Sequence, residues 1–143
     1  MQVELKWVDG LMFVCSSGTG HSLVVDGDIE VGGTDSAPRP TELLLMALGG
    51  CTAMDVISIL RKKRQKVTGF EVKVTGQRAD SHPKRFEKMQ IEYIIKGDDI
   101  KEEAVKRAVE LSMQKYCSVK ATLEPSVEIS YSYRIEPQEK GED

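Results

Sequence analysis

The chain is predicted to be an α+β protein with the element order β-β-β-α-β-β-α-β. Three observations carry this prediction. Runs of alternating apolar and polar residues come in groups, two segments of helical periodicity separate the groups, and the strict strand–helix alternation of a parallel α/β fold is missing. The 143 residues suit one domain, expected over 1–135 with a polar tail over 136–143.

Val3, Leu5 and Trp7 alternate with Glu4 and Lys6, and Asp9-Gly10 supplies a hairpin signal. Leu11–Cys15 and Ser22–Val25 continue a three-stranded meander. Residues 32–40 are too rich in Gly and Pro to stay regular and lead into a helix opened by Pro40-Thr41-Glu42. Leu43, Met46, Ala47, Gly50, Met54, Ile57 and Leu60 then recur at helical spacing to about residue 62. This helix is apolar nearly all round, which predicts a sheet on one side and a second subunit on the other. Two strands follow, around Phe70–Thr75 and Met89–Lys96, joined by a hairpin loop at 80–84. Asp98 or Asp99 is expected to cap a second helix with an Ile100, Ala104, Ala108, Leu111 stripe. A short helical turn over about 118–123 and a last strand through Val127, Ile129, Tyr131 and Tyr133 complete the chain.

Composition narrows the function classes. Hydrophobic residues make up 40% and charged residues 30%, a balance that suits a packed soluble domain. Twenty Lys and Arg against 23 Asp and Glu leave a net charge of −3, so no overall field favours nucleic acid or an anionic membrane. The basic run Arg61–Lys66 reads as a solvated helix end. No unbroken apolar run reaches about 18 residues, and the start lacks a secretory layout, so a cytoplasmic location with no membrane partner is expected.

The three cysteines, Cys15, Cys51 and Cys117, are distant in sequence and form no Cys-x-x-Cys motif. Together with His21 and His82 they have no metal-ligand spacing, so no metal site is expected. Cys51 follows Gly49-Gly50 in mid-helix, where each glycine costs up to about 1 kcal/mol against alanine. Such a cost is accepted where a helix, a second chain or a substrate approaches the backbone; close packing around an inert thiol accounts for it equally. Cys117 stands between two helices, and a thiol at a helix N-terminus is expected to have a lowered pKa and a raised thiolate fraction. A buried cysteine in a helix connection is the alternative. Taken together, the two suggest a redox pair in which one sulfur attacks a peroxide and the other condenses with the sulfenic acid to a disulfide.

The segment Pro40–Asp55, with Leu48-Gly49-Gly50-Cys51-Thr52 at its centre, resembles the first-cysteine helix of the OsmC/Ohr superfamily of osmotically inducible and organic hydroperoxide resistance proteins. Lys115-Tyr116-Cys117-Ser118-Val119 is similar to that superfamily's second-cysteine segment, and the element order agrees to about residue 135. The resemblance implies an intertwined homodimer with central helices, Cys51 as the peroxide-attacking thiolate, Cys117 as the resolving partner, an external dithiol as reductant, and no metal or bound cofactor. Two features depart from the family pattern. No Arg precedes Arg39, which would have to substitute from the loop for the family's activating arginine. The family's helix-entry glutamate is replaced by Thr41, with Glu42 one residue later, on the helix face opposite Cys51. Glu42 then serves the site only across a dimer or through a kink, and otherwise acts as a first-turn acid. The expected function is a slow thiol-dependent reductase of organic hydroperoxides; the alternative is a dimer of the same fold that binds a small apolar molecule with little or no redox activity.

Overall fold

The computed structural model describes residues 1–138. It divides into two compact units, Met1–Leu44 and the chain from Leu45 on. The expected single domain over 1–135 is therefore described as two parts.

In the first unit, β1 (Val3–Asp9), β2 (Met12–Ser17) and β3 (Ser22–Val25) form the expected antiparallel meander in the order β1-β2-β3. Gly10 makes the β1–β2 turn with φ of +52°, a value that favours glycine, and Trp7 Nε1 donates to its carbonyl at 2.9 Å. Half-buried Cys15 sits in β2, in register with Leu5 and Leu23. The loop after β3 is organised by a carboxylate that the sequence reading passed over. Asp26 accepts from the backbone N–H groups of Gly27, Thr34 and Ser36 and from the Thr34 hydroxyl at 2.6 Å. The Thr34 hydroxyl and then the Gly27 amide hold its pKa down to about 2.

Helix α1 (Pro40–Lys62) has the predicted limits. From Leu45 on it belongs to the second unit, whose sheet has the order β4 (Lys66–Arg78), β5 (Phe86–Asp98), β6 (Glu128–Pro137). β4 and β5 pair antiparallel, while β6 returns parallel to β5, with Ile91 opposite Tyr131 and Tyr93 opposite Tyr133. A parallel return requires a crossover. It is made by α2 (Glu102–Leu111), a π-helical turn (Ser112–Tyr116) and α3 (Ser118–Leu123).

The core lies between these helices and β5. Leu48, Val56 and Leu60 of α1, Ile91, Tyr93 and Ile95 of β5, and Val105 and Val109 of α2 are wholly buried, each burial worth roughly 1.5–3 kcal/mol. By length and mean hydropathy α1 would suffice to cross a membrane; Thr52, Asp55 and Ser58 interrupt its apolar run, and its buried face belongs to this core. On its other side Met46 and Met54 are exposed.

Several local expectations need correction. Neither Asp98 nor Asp99 caps α2: Asp98 ends β5, Asp99 has φ of +52° and accepts from Lys101 Nζ, and Lys101 occupies the cap position. The α2 core face keeps the expected Ala104 and Ala108 and adds Val105 and Val109, while Leu111 is half-buried. The tail does not begin at 136: Glu136 and Pro137 belong to β6, and the expected tail beyond 138 lies outside the described residues.

Gly49 and Gly50 differ in role. A Cβ on Gly49 would stand 2.9 Å from Val74 Cγ2, so the sheet approaches its backbone. A Cβ on Gly50 meets nothing within 4 Å. Gly49→Ala should therefore lose about 1–2 kcal/mol, overpacking against a stiff valine outweighing the helix propensity gained. Gly50→Ala should gain up to about 1 kcal/mol; urea midpoints of the two variants check the opposite signs.

Candidate functional site

Cys51 and Asp55 are one helical turn apart on α1 and project from the same face. Cys117 arrives from the other side of the crossover. After α2 the backbone widens into the π-turn, closed by the Cys117 N–H donating to the Ser112 carbonyl at 2.8 Å. Single π-turns of this kind recur at functional sites. Cys117 then becomes the N-cap of α3, its Sγ accepting from the Lys120 N–H at 3.4 Å. The result is a cluster in which Cys51 Sγ, Cys117 Sγ and an Asp55 carboxylate oxygen all lie within 4.8 Å of one another, with Cys117 buried and the other two half-buried. All three cysteines are free thiols.

Behind the cluster runs a chain of buried hydroxyls. Thr52 Oγ1 is 2.6 Å from both Tyr93 Oη and Ser112 Oγ, and Ser112 Oγ donates to Asp55 Oδ2 at 2.9 Å. Each hydroxyl has one proton, so the direction is fixed. Ser112 spends its proton on Asp55, must accept from Thr52, and Thr52 must in turn accept from Tyr93. Every donor points toward the carboxylate. Thr52 and Ser112 are fully buried, and burial lifts the Tyr93 pKa to about 12, so this chain stays protonated at neutral pH.

The electrostatics overturn one expectation. Cys117 does occupy a helix N-cap, yet its thiol is pushed up to about 11. Burial is the main cause; the Lys120 amide pulls the other way, while Cys51 and the Asp55 charge oppose ionisation further. One amide cannot offset loss of solvent.

Of the site residues expected from sequence, the structure brings Cys51 and Cys117 together and adds Asp55. Glu42 has a different partner: its Oε1 accepts from the Arg39 N–H at 2.9 Å, half of a capping box at the start of α1. Arg39 is held in its own loop, with Nη2 at 2.8 Å from Asp35 and 3.6 Å from Asp28, and Nη1 donating to the Ala37 carbonyl. His21 and His82 are exposed beside their turns. Asp55 could have been found from its spacing to Cys51; Ser112 and Thr52 carried no signal, since their contact spans 60 residues. Asp55 also lines a cavity of about 680 Å³, walled by Met54, Ile59, Leu111 and Tyr116, with Lys62 beside it.

Comparison with known proteins adds the following. Residues 33–132 match the family of OsmC-like proteins. The chain is 47% identical over 135 residues to protein YhfA of Escherichia coli K12, covering 94% of this chain and 98% of that protein. A crystal structure of a hypothetical protein from Aquifex aeolicus superposes with a TM-score of 0.84 at 34% identity, over 96% of this chain and 97% of the other. A structure from Legionella pneumophila described as an organic hydroperoxide resistance protein OsmC superposes with a TM-score of 0.65 over 93% and 96% of the two chains; at 13% identity it speaks to the fold alone.

Because the Cys117 thiol sits near 11, its thiolate should be scarce at pH 8 and increase with each step of pH above it. Alkylation of Cys117, followed by peptide mass, is expected to show a pH–rate midpoint near 11; the midpoint is independent of how far burial slows the reaction. A midpoint at or below the ordinary thiol value of about 8.5 contradicts the assignment.

Proposed function

The chain belongs to the OsmC-like protein family, and from that premise we propose that it is a thiol-dependent hydroperoxide reductase working through Cys51 and Cys117. The supporting observation is that the two thiols, far apart in sequence, lie within 4.8 Å of each other. A disulfide needs its sulfurs at about 2.05 Å, so the proposed cycle includes a closure from this separation.

In the proposed cycle the Cys51 thiolate attacks one oxygen of a hydroperoxide. The O–O bond breaks, the alcohol leaves after taking up a proton, and Cys51 becomes a sulfenic acid. Cys117 attacks that sulfur, expelling water and forming the disulfide. An external dithiol returns both sulfurs to thiols and is itself oxidised. Half-buried Cys51 is the better placed to meet a peroxide, and buried Cys117 beside it takes the resolving step, giving up its proton as water leaves. At Cys117 burial first, and the neighbouring Cys51 and Asp55 further, oppose thiolate formation, so the resolving step is slow. Apolar walls around the Asp55 cavity favour organic peroxides over hydrogen peroxide.

A homodimer is part of this reading. Leu5 and Trp7 on β1 and Met46 and Met54 on α1 are large, apolar and exposed, the kind of surface that a second copy covers. We place the protein in the cytoplasm, whose reducing pool supplies the dithiol. A second reading, binding of a small apolar molecule with weak redox activity, is favoured by the volume of the cavity and by the charge that disfavours a thiolate.

Reduced protein given one equivalent of cumene hydroperoxide should lose two thiols per chain and gain a Cys51–Cys117 disulfide. Cys51→Ser should abolish peroxide consumption, and Cys117→Ser should stop at a sulfenic acid that dimedone captures. Full activity in Cys51→Ser, or no thiol loss in the wild type, leaves the binding reading in its place.

A further inference from the structure

We propose that Cys51, Asp55 and Cys117 form a three-donor site for a thiophilic divalent cation of the zinc class, with a fourth position open to water or an external ligand. The chain supplies two sulfurs and one carboxylate oxygen within 4.8 Å of one another. Tetrahedral zinc, with bonds of about 2.3 Å to sulfur and 2.0–2.2 Å to oxygen, asks its donors to lie roughly 3.6–3.8 Å apart. The cluster needs only to contract slightly, by side-chain rotation. Two donors one turn apart on α1 and a third at the N-cap of α3 give a facial set, and three protein ligands with an open position are the arrangement of reactive rather than structural zinc sites.

The surroundings fit such an ion in two further ways. A carboxylate that binds a metal is normally oriented by a hydrogen bond behind it, and Ser112 Oγ provides one at 2.9 Å, itself fixed by the buried Thr52 and Tyr93 hydroxyls. The fourth position has somewhere to face, since Asp55 lines the cavity walled by Met54, Ile59, Leu111 and Tyr116. A dication offsets the repulsion that Asp55 would exert on two thiolates, so both thiols are deprotonated on binding, and the site keeps the net charge of −1 that the carboxylate and two neutral thiols carry without it. The step is M²⁺ plus two thiols and a carboxylate giving the bound ion and two protons; no oxidant or reductant enters it.

The binding claim stands apart from the peroxide reading; only one consequence rests on that reading, that a bound ion occupies the sulfur lone pairs and blocks attack on peroxide. The test uses reduced, full-length protein titrated with Cd²⁺ and followed by the ultraviolet thiolate-to-cadmium band, with Co²⁺ as a visible probe of tetrahedral geometry. One ion per chain is expected, released by Zn²⁺ competition, with close to two protons liberated in weak buffer. Cys15→Ser should keep the band. Cys51→Ser and Cys117→Ser should lose it, and Asp55→Asn and Ser112→Ala should weaken affinity by about tenfold or more. Should the cysteine variants fail to fold, the wild type still decides: Zn²⁺ should protect Cys51 and Cys117, but not Cys15, from N-ethylmaleimide. No band at equimolar Cd²⁺, a band undiminished in the Cys51→Ser/Cys117→Ser double variant, or equal labelling with and without Zn²⁺ overturns the proposal. Unchanged affinity in Asp55→Asn removes the carboxylate and overturns the three-donor set. Metal-free protein that fails to consume peroxide while still binding Cd²⁺ counts against the reductase alone.

Discussion

The buried hydroxyl of Thr52 is the constraint on which the site depends. It has no access to solvent and sits 2.6 Å from two other hydroxyls, one on β5 and one on the π-turn. An unmade hydrogen bond at such a position costs roughly 1–3 kcal/mol, so helix, strand and turn are held in one mutual setting. Because the chain of donors ends on Asp55, the same bonds that fix the backbone also fix the carboxylate beside the sulfurs. The π-turn completes the arrangement, since Ser112 receives the Cys117 amide on its carbonyl while its side chain holds Asp55. Core packing and site geometry are therefore one set of contacts.

The electrical character of the site follows from those contacts. Burial, with a negative neighbour beside it, leaves Cys117 protonated. The slow peroxide chemistry and the cation site proposed above would both follow from one charge distribution: a negative neighbour that impedes a thiolate in the free protein would stabilise a dication bound to it. Arg39, the residue best able to alter this balance by its type, has its charge engaged by Asp35 and Asp28.

Much of the fold was legible in the sequence because it rests on local periodicity. The limits of α1 and the β1–β2–β3 meander follow from residue spacing and an Asp-Gly turn, and α3 emerges close to its expected place. The pairing of Cys51 with Cys117 rests on the settings of the two thiols and on family resemblance; spacing alone cannot bring together residues on separate helices. Asp55 was visible as an interruption of an apolar helix but its role was not, since that depends on Ser112 from a distant segment. Of the two readings open for Cys117 the buried cysteine holds, for a related reason. A helix N-cap is a local feature that sequence displays, whereas burial is a tertiary quantity, and at Cys117 burial prevails. The α2 stripe is legible at Ala104 and Ala108, whereas the burial of Val105 and Val109 beside them depends on packing against distant elements.

The central claim is that Cys51 and Cys117 are neighbours within one folded chain, and proximity is best measured without peroxide or metal. Brief treatment of the reduced protein with diamide, followed by non-reducing digestion and peptide mass, should yield an intrachain Cys51–Cys117 disulfide while Cys15 stays free. Cross-links that involve Cys15, or no cross-link between the other two while the chain remains folded, would contradict the account.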